Sequence, residues 1–496
     1  MKKALNILIA SPEVVPFAKT GGLADVTGAL PRALRRLGHN VSVILPRYQM
    51  VNEVGRDIRP ISTKKRIHVP ISARIEEAEI YESKIDKDIP VYFIDKKEYY
   101  SRPQLYGTEK GDYPDNAERF IYFSRAILET CKALDMRPDI IHCNDWQTGI
   151  LPVYLKTLYK DDPFFQRVTT VYTIHNIGYQ GIFWHYDMHL TNLGWDIFTI
   201  EGIEFYGNIN LMKGGILFSD IITTVSKTYS KEIQTEEYGY KLDGVLRKRN
   251  KDLYGVINGI DYEIWHPLRD KFIKERYSEY NLSGKDRCKR DLMDIYKLTS
   301  KNDSPIVGII SRLADQKGFD LISEIIDEMM RLDMSLVLLG TGTERYNRLF
   351  EDVGKRFSGK AGIKIGFDDP LAHKIEAGAD IFLMPSRYEP CGLNQLYSLK
   401  YGTIPIVRST GGLNDTIEEF NIQTGKGNGF KFREYSSKEL LLTLKKAINI
   451  YKNKKDVWKS LMKNAMKEDF SWENSANEYV KLYRKALSNR KLYDEG

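Results

Sequence analysis

Short apolar runs alternate with amphipathic stretches along most of this chain. Ile381 to Met384 predicts a buried strand, Asn394 to Tyr401 a helix, and Thr403 to Val407 a second strand. The glycine turn from Ser409 to Gly412 then opens another helix, which completes a βαβ unit. Ligands of parallel sheets lie beyond the carboxyl ends of the strands. We therefore expect Glu389 and the free backbone N–H donors of the glycine turn to face one crevice.

The alternation of strands and helices occurs in two consecutive series, which predicts two α/β lobes. The first lobe is predicted over residues 1–260 and the second over 261–470, with the boundary at an Asn-Gly turn. Within the first lobe, about residues 66–95 change to shorter alternating runs, which predict inserted antiparallel hairpins. A terminal helix is predicted over 471–496 and is expected to pack back across the lobes.

Composition excludes several classes of protein. Of the 496 residues, 42% are apolar and 11% aromatic, which is enough for sizeable cores and argues against disorder. The net charge of +7 arises from 74 basic and 67 acidic residues that are interspersed, so no nucleic-acid face is predicted. No apolar run approaches the length of a membrane-spanning helix. The four cysteines form no C-x-x-C pair, so a reducing cytoplasmic compartment is expected.

Two glycine turns beside basic residues are candidate anion sites. In the first lobe, Lys19 precedes Gly21 and Gly22 between a strand and a helix, where free N–H groups and the helix dipole favour an anion. In the second lobe, Arg312 and Lys317 follow a strand and would share a site with the glycine turn of Thr410, Gly411 and Gly412. Such groups suit the departing diphosphate of a nucleotide-sugar donor held between lobes, in a glycosyl transfer without a metal. Each turn is also compatible with a plain strand-to-helix connection beside a surface cation.

Further candidates follow two predicted strands of the first lobe. Asp145 and Trp146 come after the strand that ends at Asn144, and His175 comes after the strand that ends at Ile174. The carboxyl ends of parallel strands share one edge of a sheet, where functional groups gather. A single histidine at a strand end is also compatible with a structural role. The pattern therefore leaves His175 open between these two roles.

Eight motifs in register carry a resemblance to a known family. They are, in chain order, K-T-G-G-L-A-D-V, H-C-N-D-W, Y-T-I-H-N, K-G-G-I-L-F-S-D-I-I-T-T-V-S, V-I-N-G-I-D, S-R-L-A-D-Q-K-G, S-R-Y-E-P-C-G-L and R-S-T-G-G-L. From Leu5 to near the C terminus, the chain resembles the bacterial glycogen synthase and plant starch synthase family. The resemblance implies a GT-B fold, in which two Rossmann-like lobes face an inter-domain cleft. It also implies elongation of an α-1,4-glucan from a nucleotide-glucose donor, with the anomeric configuration retained.

The resemblance also implies roles for residues of these motifs. The expected catalytic set is Glu389, which contacts glucose hydroxyls, His175, whose backbone carbonyl stabilises positive charge, and Lys317 and Arg312, which bind the distal phosphate. The other donor-binding residues implied are Lys19, Gly21, Gly22, Asn258, Phe367, Cys391, Gly392, Thr410, Gly411 and Gly412. The implied sugar and acceptor residues are Asp25, Asp145 and Trp146.

Partners and alternatives follow from the same resemblance. The expected donor is ADP-glucose and the expected acceptor is glycogen or another α-1,4-glucan, with no cofactor, metal, nucleic acid or membrane. UDP-glucose is the close alternative donor. A non-catalytic glucan-binding protein has no need of the phosphate cations, and an NAD-dependent oxidoreductase would need a full glycine fingerprint. Phe367 stands where the family usually has Tyr, and Tyr397 where the wider superfamily often has a second Glu.

Overall fold

The computed structural model of the protein describes residues 3–61, 66–86, 88–301 and 303–494, with side chains described as far as residue 490. The chain divides into two compact units. The N-terminal unit comprises Met1–Val225, Ser230–Gly259 and Trp472–Gly496, and the C-terminal unit comprises Ser226–Tyr229 and Ile260–Ser471. Each unit is built on its own largely parallel β-sheet.

Strands and helices alternate through the part of the chain that ends at residue 259. The strands are β1 (Asn6–Ala10), β2 (Asn40–Pro46), β3 (Arg59–Pro60), β4 (Arg66–Ile71), β5 (Arg74–Ile85), β6 (Ile89–Asp95), β7 (Gly107–Thr108), β8 (Gly111–Asp112), β9 (Ile140–Asn144), β10 (Thr169–Ile174), β11 (Ile182–Trp184), β12 (Glu204–Phe205), β13 (Asn208–Asn210), β14 (Ile221–Thr224) and β15 (Leu253–Gly255). The helices are α1 (Gly22–Arg36), α2 (Lys97–Tyr100), α3 (Asn116–Ala133), α4 (Leu151–Lys156), α5 (Leu211–Phe218), α6 (Lys227–Glu232) and α7 (Asp243–Lys248).

The parallel strands of the N-terminal sheet run in the order β6-β2-β1-β9-β10-β14-β15. All residues of β9 and β10 are buried, as expected of strands covered on both faces. The strand order reverses between β1 and β9, which pair directly. The carboxyl ends of these two strands therefore form the switch point at which ligands of such sheets bind.

Antiparallel hairpins extend one edge of this sheet. β4 pairs with β5, and β5 pairs with β6, in the segment that the sequence predicts as inserted hairpins. β6 also pairs in parallel with β2. The last hairpin strand therefore belongs to the main sheet, and the segment continues the sheet.

The C-terminal unit repeats the alternation with one strand per helix over most of its length. Its strands are β16 (Ile306–Ile310), β17 (Ser335–Gly340), β18 (Ala361–Ile365), β19 (Ile381–Met384), β20 (Ile404–Arg408) and β21 (Phe430–Phe432). The helices after residue 260 are α8 (Ser283–Tyr296), α9 (Phe319–Arg331), α10 (Glu344–Arg356), α11 (Asp369–Gly378), α12 (Asn394–Tyr401), α13 (Gly411–Thr416), α14 (Ser437–Asn453), α15 (Lys455–Lys467) and α16 (Trp472–Asp494).

All neighbouring strands of the C-terminal sheet are parallel, in the order β18-β17-β16-β19-β20-β21. Helix α9 buries Ile322, Ile325 and Met329 and exposes Glu324 and Glu328, the spacing expected of a helix that covers a sheet. The order reverses between β16 and β19, so the switch point of this unit lies beyond their carboxyl ends.

The terminal helix α16 packs on the N-terminal unit. The Tyr483 hydroxyl lies 2.8 Å from His142 Nδ1 on β9, and the Ser475 hydroxyl donates to the Ile257 carbonyl over 2.6 Å. These contacts tie the end of the chain to the sheet on which the chain begins. Packing of this helix across both lobes stays a prediction.

Candidate active site

A carboxylate and an ammonium group meet at the switch point of the C-terminal sheet. Glu389 follows β19, and Lys317 follows β16, the neighbouring strand. The Lys317 Nζ donates to Glu389 Oε2 over 2.6 Å. The side chain of Glu389 is 7% exposed and that of Lys317 is 22% exposed. Two groups that are 72 positions apart in the sequence are thus in direct contact.

Close backbone packing holds the loops that carry this pair. Gly318, directly after Lys317, has a φ of +77°. A Cβ at Gly318 would overlap the carbonyl oxygen of Pro385, so glycine is required for this approach. From β20, the buried Arg408 donates through Nε to the Ser386 carbonyl over 3.0 Å. The loop after β19 is therefore fixed on two sides.

A cavity of about 200 Å³ opens at this contact. Arg312, Lys317 and Glu389 contribute its charged groups. The Arg312 side chain is exposed and donates to Gln316 over 3.1 Å, and the Ser386 hydroxyl donates to Glu389 Oε2 over 3.1 Å. Two cations beside one carboxylate can bind a phosphate and a sugar hydroxyl in one place.

The glycine turn at 410–412 packs against the backbone of the Glu389 loop. Gly411 has a φ of +44°, and a Cβ there would overlap the Glu389 carbonyl oxygen. The Gly412 N–H donates to the carbonyls of Glu389 and Pro390 over 3.1 and 3.2 Å, and the Thr410 N–H donates within its own turn over 2.9 Å. The expectation of free N–H donors is therefore wrong for Thr410 and Gly412, whose amides hold the loop together.

The other donor residues expected in the C-terminal unit differ in exposure. Cys391 is buried, and Gly392 has a φ of +73° in the loop after β19. Phe367 follows β18, and its side chain is 86% exposed. An aromatic ring this exposed offers a face for stacking. The loop residues therefore gather at the switch point, whereas Phe367 projects from a more distant strand end.

In the N-terminal unit, Asp145 and His175 are linked across the carboxyl ends of β9 and β10. Asp145 has a φ of 55°, and its Oδ1 accepts from the His175 N–H over 2.7 Å. The His175 Nε2 lies 2.9 Å from Asn144 Oδ1. The Asn144 amide nitrogen donates to two backbone carbonyls, so Oδ1 is the acceptor and His175 carries a proton on Nε2.

Burial sets the charge of this pair. It raises the pKa of Asp145 to about 7, although hydrogen bonds from the His175 and Asn176 backbone N–H groups lower this pKa. Nearby Glu13 raises the pKa of Asp145 further. Burial lowers the pKa of His175 to about 3, and neighbouring His142 adds to this effect. His175 is therefore neutral near pH 7, where Asp145 titrates.

The turn from Lys19 to Gly22 closes around a carboxylate of the chain itself. Glu13 accepts from the Thr20 N–H over 2.6 Å, from the Thr20 hydroxyl over 2.6 Å and from the Gly21 N–H over 3.1 Å. Tyr106 donates its hydroxyl to the same carboxylate over 2.8 Å. The expectation of a free N–H donor is therefore wrong for Gly21.

Glu13 is the main site residue that the sequence reasoning missed. Its side chain is buried at the switch point of the N-terminal sheet, close enough to Asp145 to act on its pKa. A signal was available, since an acidic residue in the loop that follows the first strand lies near the carboxyl edge of the sheet. Tyr106 lies 93 positions further along the chain, and no local pattern predicts its contact with Glu13.

The remaining site candidates of the N-terminal unit range from exposed to buried. The Lys19 Nζ donates to Asp25 over 2.7 Å, with 49% and 32% of the two side chains exposed. Such exposed pairs are weak, so Lys19 can exchange Asp25 for a ligand anion. Trp146 is buried, with its ring centroid 5.6 Å from that of Phe183. Asn258 is buried, and no described group donates to its Oδ1, so a ligand hydroxyl would satisfy this oxygen.

Neither a cluster of metal ligands nor a membrane-spanning helix occurs among the described residues. In this part of the chain, no group of three or more His, Cys, Asp or Glu side chains is arranged to hold a metal ion. No helix among the same residues is both long enough and apolar enough to span a membrane. All four cysteines are buried and unbonded to one another.

Two family models match the chain. The model described as the starch synthase catalytic domain matches residues 6–248. The model described as glycosyl transferases group 1 matches residues 294–464. The two matches together include the residues at both switch points.

Curated relatives match the chain at nearly full length. The glycogen synthase of Thermosipho africanus is 50% identical over 492 residues, which cover 98% of this chain and 100% of the relative. The glycogen synthase of Thermotoga maritima is 47% identical over 490 residues, which cover 98% of this chain and 99% of the relative. The likeness therefore extends through both units.

Two solved structures also match nearly the whole length of the chain. The catalytic domain of starch synthase IV from Arabidopsis thaliana, bound to ADP and acarbose, matches with a TM-score of 0.89 and 33% identity, covering 98% of this chain and 100% of that one. Sucrose-phosphate synthase from Thermosynechococcus elongatus matches with a TM-score of 0.60 and 16% identity over 97% and 99% of the two chains, a likeness of fold alone. With the two parallel sheets, these matches confirm the predicted GT-B fold of two Rossmann-like lobes.

Proposed function

Because this chain belongs to the glycogen synthase and starch synthase family of glycosyltransferases, we propose that it transfers glucose from ADP-glucose to the non-reducing end of an α-1,4-glucan such as glycogen. The anomeric configuration of glucose is retained in this reaction. The observation that carries the proposal is the 2.6 Å contact between Lys317 and Glu389 in the cavity that Arg312 also lines. It combines cations for a diphosphate with a carboxylate for sugar hydroxyls.

The C-terminal unit is proposed to hold the donor. Arg312 and Lys317 neutralise the distal phosphate, whose negative charge grows as it departs. The arriving phosphate competes for Lys317, which frees the Glu389 carboxylate to accept from glucose hydroxyls. Phe367 stacks on the adenine ring. The loop residues keep the cavity in shape, namely Cys391, Gly392, Thr410, Gly411 and Gly412.

The N-terminal unit is proposed to act on the anomeric centre and the acceptor. The His175 ring is neutral and hydrogen-bonded to Asn144, so its backbone carbonyl, and not the ring, stabilises positive charge at glucose C1. Lys19 and the Gly22 amide assist with the donor phosphate, and Glu13 holds their turn in shape. The sugar-binding residues proposed here are Asp25, Asp145, Trp146 and Asn258.

The proposed reaction exchanges one bond at glucose C1 for another. The bond from C1 to the phosphate oxygen breaks, and a bond from C1 to the acceptor O4 forms on the same face. The proton of the acceptor hydroxyl passes to the departing phosphate oxygen, so ADP leaves and the configuration is retained. Tyr397 stands where the wider superfamily often has a second Glu. Its ring stacks on that of Trp265 with centroids 3.9 Å apart, so this residue supports packing.

A donor comparison tests the proposal. The protein is incubated with glycogen and either ADP-glucose or UDP-glucose, and release of each nucleoside diphosphate is measured. We expect kcat/KM to be at least about tenfold higher with ADP-glucose, since the similar starch synthase IV binds ADP. Reactions without glycogen, and with Glu389→Gln, give the background of hydrolysis. The proton NMR coupling of the new anomeric centre tests retention.

Each outcome bears on a different part of the proposal. Equal or faster release of UDP would overturn the choice of donor. No release from either donor would favour the non-catalytic glucan-binding protein. A β-linked product would overturn retention while leaving the transfer itself in place.

A further inference from the structure

Arg119 on α3 is completely buried, and its guanidinium has no hydrogen bond to a carboxylate in the part of the chain that the structure describes. The nearby carboxylate of Asp115 pairs with Arg102 instead. A buried charge loses its hydration, and an apolar side chain of similar volume would avoid that cost. The presence of a guanidinium at this position is therefore explained by the groups that its N–H donors hold.

The donors of Arg119 hold one loop at three points. This 101–115 loop connects α2 to α3. Arg119 donates through Nε to the Tyr99 carbonyl over 2.8 Å and through Nη2 to the Leu105 carbonyl over 2.9 Å. Its Nη1 donates to Asn116 Oδ1 over 2.6 Å. Tyr99 and Asn116 flank the loop and Leu105 lies within it, so one planar group determines the path of the loop.

Aromatic rings surround the guanidinium where a counter-charge is missing. The guanidinium carbon of Arg119 lies 5.1 Å from the ring centroid of Tyr113, 5.2 Å from that of Phe120 and 5.7 Å from that of Tyr100. The negative face of an aromatic ring attracts a cation within about 6 Å. The Tyr100 hydroxyl also donates to the Arg119 carbonyl over 2.9 Å. Both the side chain and the backbone of Arg119 are therefore held in place.

The 101–115 loop brings Tyr106 to Glu13. The Tyr106 hydroxyl donates to Glu13 Oε1 over 2.8 Å. Tyr106 directly follows Leu105, whose carbonyl accepts from Arg119. The Tyr106 carbonyl accepts from Asn116 Nδ2 over 2.8 Å. The two peptide groups that flank Tyr106 are thus held, one by Arg119 and the other by the amide that Arg119 orients.

Arg119 also lies within electrostatic reach of the N-terminal switch point. Tyr48 is buried, and burial raises its pKa. Arg119 lowers the pKa of Tyr48 and Glu13 raises it, so both charges act on one hydroxyl. The guanidinium and the Glu13 carboxylate are therefore neighbours within the folded unit.

We propose that Arg119 is a positioning residue for the glucose transfer, an inference that rests on the proposed function. By fixing the 101–115 loop, Arg119 sets the Tyr106 hydroxyl against Glu13. Glu13 in turn accepts from backbone N–H groups of the turn that carries Lys19, and so gives that turn its shape. Arg119 is buried and acts on the reaction only through these contacts.

Amide hydrogen exchange tests this positioning without catalysis. Arg119→Lys keeps the positive charge and replaces the planar fork of donors with a compact ammonium group, which cannot reproduce the three contacts. Thr20 and Gly21 have N–H groups that Glu13 protects. We expect these two N–H groups to exchange about tenfold faster in Arg119→Lys than in the wild-type protein. Mass spectrometry of the peptide that contains the turn measures the exchange.

Arg125→Lys is the matched control. Arg125 also lies on α3 and also donates to uncharged oxygens, namely the Pro70 carbonyl over 3.1 Å and Asn192 Oδ1 over 2.9 Å, neither of which belongs to the 101–115 loop. Arg125→Lys should lower Tm and leave the exchange of the turn at its wild-type rate.

Asn116→Asp provides a second variant in case Arg119→Lys does not fold. Aspartate still accepts from Arg119, now as a carboxylate, but it has no N–H₂ group for the Tyr106 carbonyl. The exchange of the turn should therefore become faster although the buried guanidinium keeps a partner.

A double-mutant cycle connects the positioning to the reaction. The kcat/KM for ADP-glucose should fall about threefold in Arg119→Lys and by a similar factor in Tyr106→Phe. The double variant should also lose about threefold, because both changes break the same contact with Glu13. Independent effects would instead multiply to about ninefold.

Two results would overturn the inference. One is wild-type exchange of the turn in both Arg119→Lys and Asn116→Asp. The other is a loss in the double variant that equals the product of the two single losses. If the wild-type protein transfers no glucose, the proposed function fails, and the hydrogen exchange still decides whether Arg119 positions the turn.

Discussion

The two switch points of this chain stabilise their carboxylates in opposite ways. In the C-terminal unit, Glu389 contacts the ammonium group of Lys317 over 2.6 Å. In the N-terminal unit, Glu13 and Asp145 accept hydrogen bonds from backbone N–H and hydroxyl groups, and no ion pair to either carboxylate is found in the part of the chain that the structure describes. Both arrangements lie beyond the carboxyl ends of parallel strands at a reversal of strand order.

This difference teaches that one sheet topology supports two kinds of polar site. An ion pair can exchange a partner for a charged ligand, so the C-terminal site suits phosphate. A carboxylate held by N–H groups gives up its hydrogen bonds only if the loop that supplies them moves, so the N-terminal site keeps a fixed shape. We therefore expect substitutions at Glu389 and Lys317 to act on the chemical step, and substitutions at Glu13 and Asp145 to act on loop geometry and pH dependence.

The largest effect is expected from Glu389→Gln, which keeps the shape of the side chain and removes its charge. The kcat for glucose transfer should fall about a thousandfold, because the carboxylate that is proposed to accept from glucose hydroxyls is lost. The measurement is ADP release with glycogen. Glu419→Gln is the matched control, since Glu419 also pairs with a lysine, Lys446, but is 40% exposed. If Glu389→Gln keeps more than a tenth of wild-type activity, the charge of Glu389 is not needed for the chemical step. The role that the comparison gives to the C-terminal switch point would then be wrong.

Lys317→Ala should lower kcat about a hundredfold and raise KM for ADP-glucose by less. In the proposed reaction the charge of Lys317 matters most as the phosphate leaves, so its loss weakens the transition state more than the bound donor. Initial rates over a range of donor concentrations separate the two constants. Lys446→Ala removes an exposed lysine of the same unit and should leave both constants near wild type. If only KM for ADP-glucose changes, Lys317 binds the donor in the ground state and does not stabilise the transition state further.

Glu13→Gln should reduce kcat/KM for ADP-glucose about tenfold. Glutamine has one acceptor oxygen and brings an N–H₂ group toward the donors of Thr20 and Gly21, so the turn that carries Lys19 should shift. Tyr106→Phe removes one of the four hydrogen bonds to Glu13 and should cost about two- to threefold.

A thermal melt of Glu13→Gln distinguishes between two roles of Glu13, namely positioning the turn that carries Lys19 and stabilising the fold alone. If Glu13→Gln lowers Tm while kcat and KM stay at wild-type values, the residue supports the fold and not the turn. Partial rescue of kcat/KM by Glu13→Asp, which restores the carboxylate, would favour the positioning role.

Much of the fold was predictable because buried parallel strands leave a local pattern. The apolar run from Ile381 to Met384 has the same bounds in the sequence prediction and in β19. The proximity of Lys317 and Glu389 was also accessible, because each follows one of two strands whose ends share an edge. These inferences needed only periodicity and the direction of the strands.

The occupancy of the backbone amides was not predictable in this way. Whether the Gly412 N–H is free depends on which loop packs against it, and here the Glu389 carbonyl approaches because Gly411 has no Cβ. The Gly21 N–H is likewise satisfied by Glu13. A glycine turn therefore indicates close approach of something to the backbone, but the pattern does not say whether that partner is a ligand or the chain itself.

The smallest effect is expected from Asp145→Asn, and it is seen in stability. In the folded protein burial raises the pKa of Asp145 from 3.8 to about 7. The unfolded chain releases this proton near pH 4, whereas the folded chain keeps it until about pH 7, so the ionisation makes folding less favourable as pH rises between these values. Asparagine removes the titration and still accepts from the His175 N–H through Oδ1. The Tm of the variant minus that of the wild-type protein should therefore increase by about 3 °C or more from pH 4.5 to pH 7.5.

The matched control is Asp112→Asn, at an exposed position, whose Tm should differ from that of the wild-type protein by the same amount at both pH values. A constant difference for Asp145→Asn as well would mean that Asp145 is already ionised at low pH, as an ion-paired carboxylate would be, and the contrast between the two switch points would disappear.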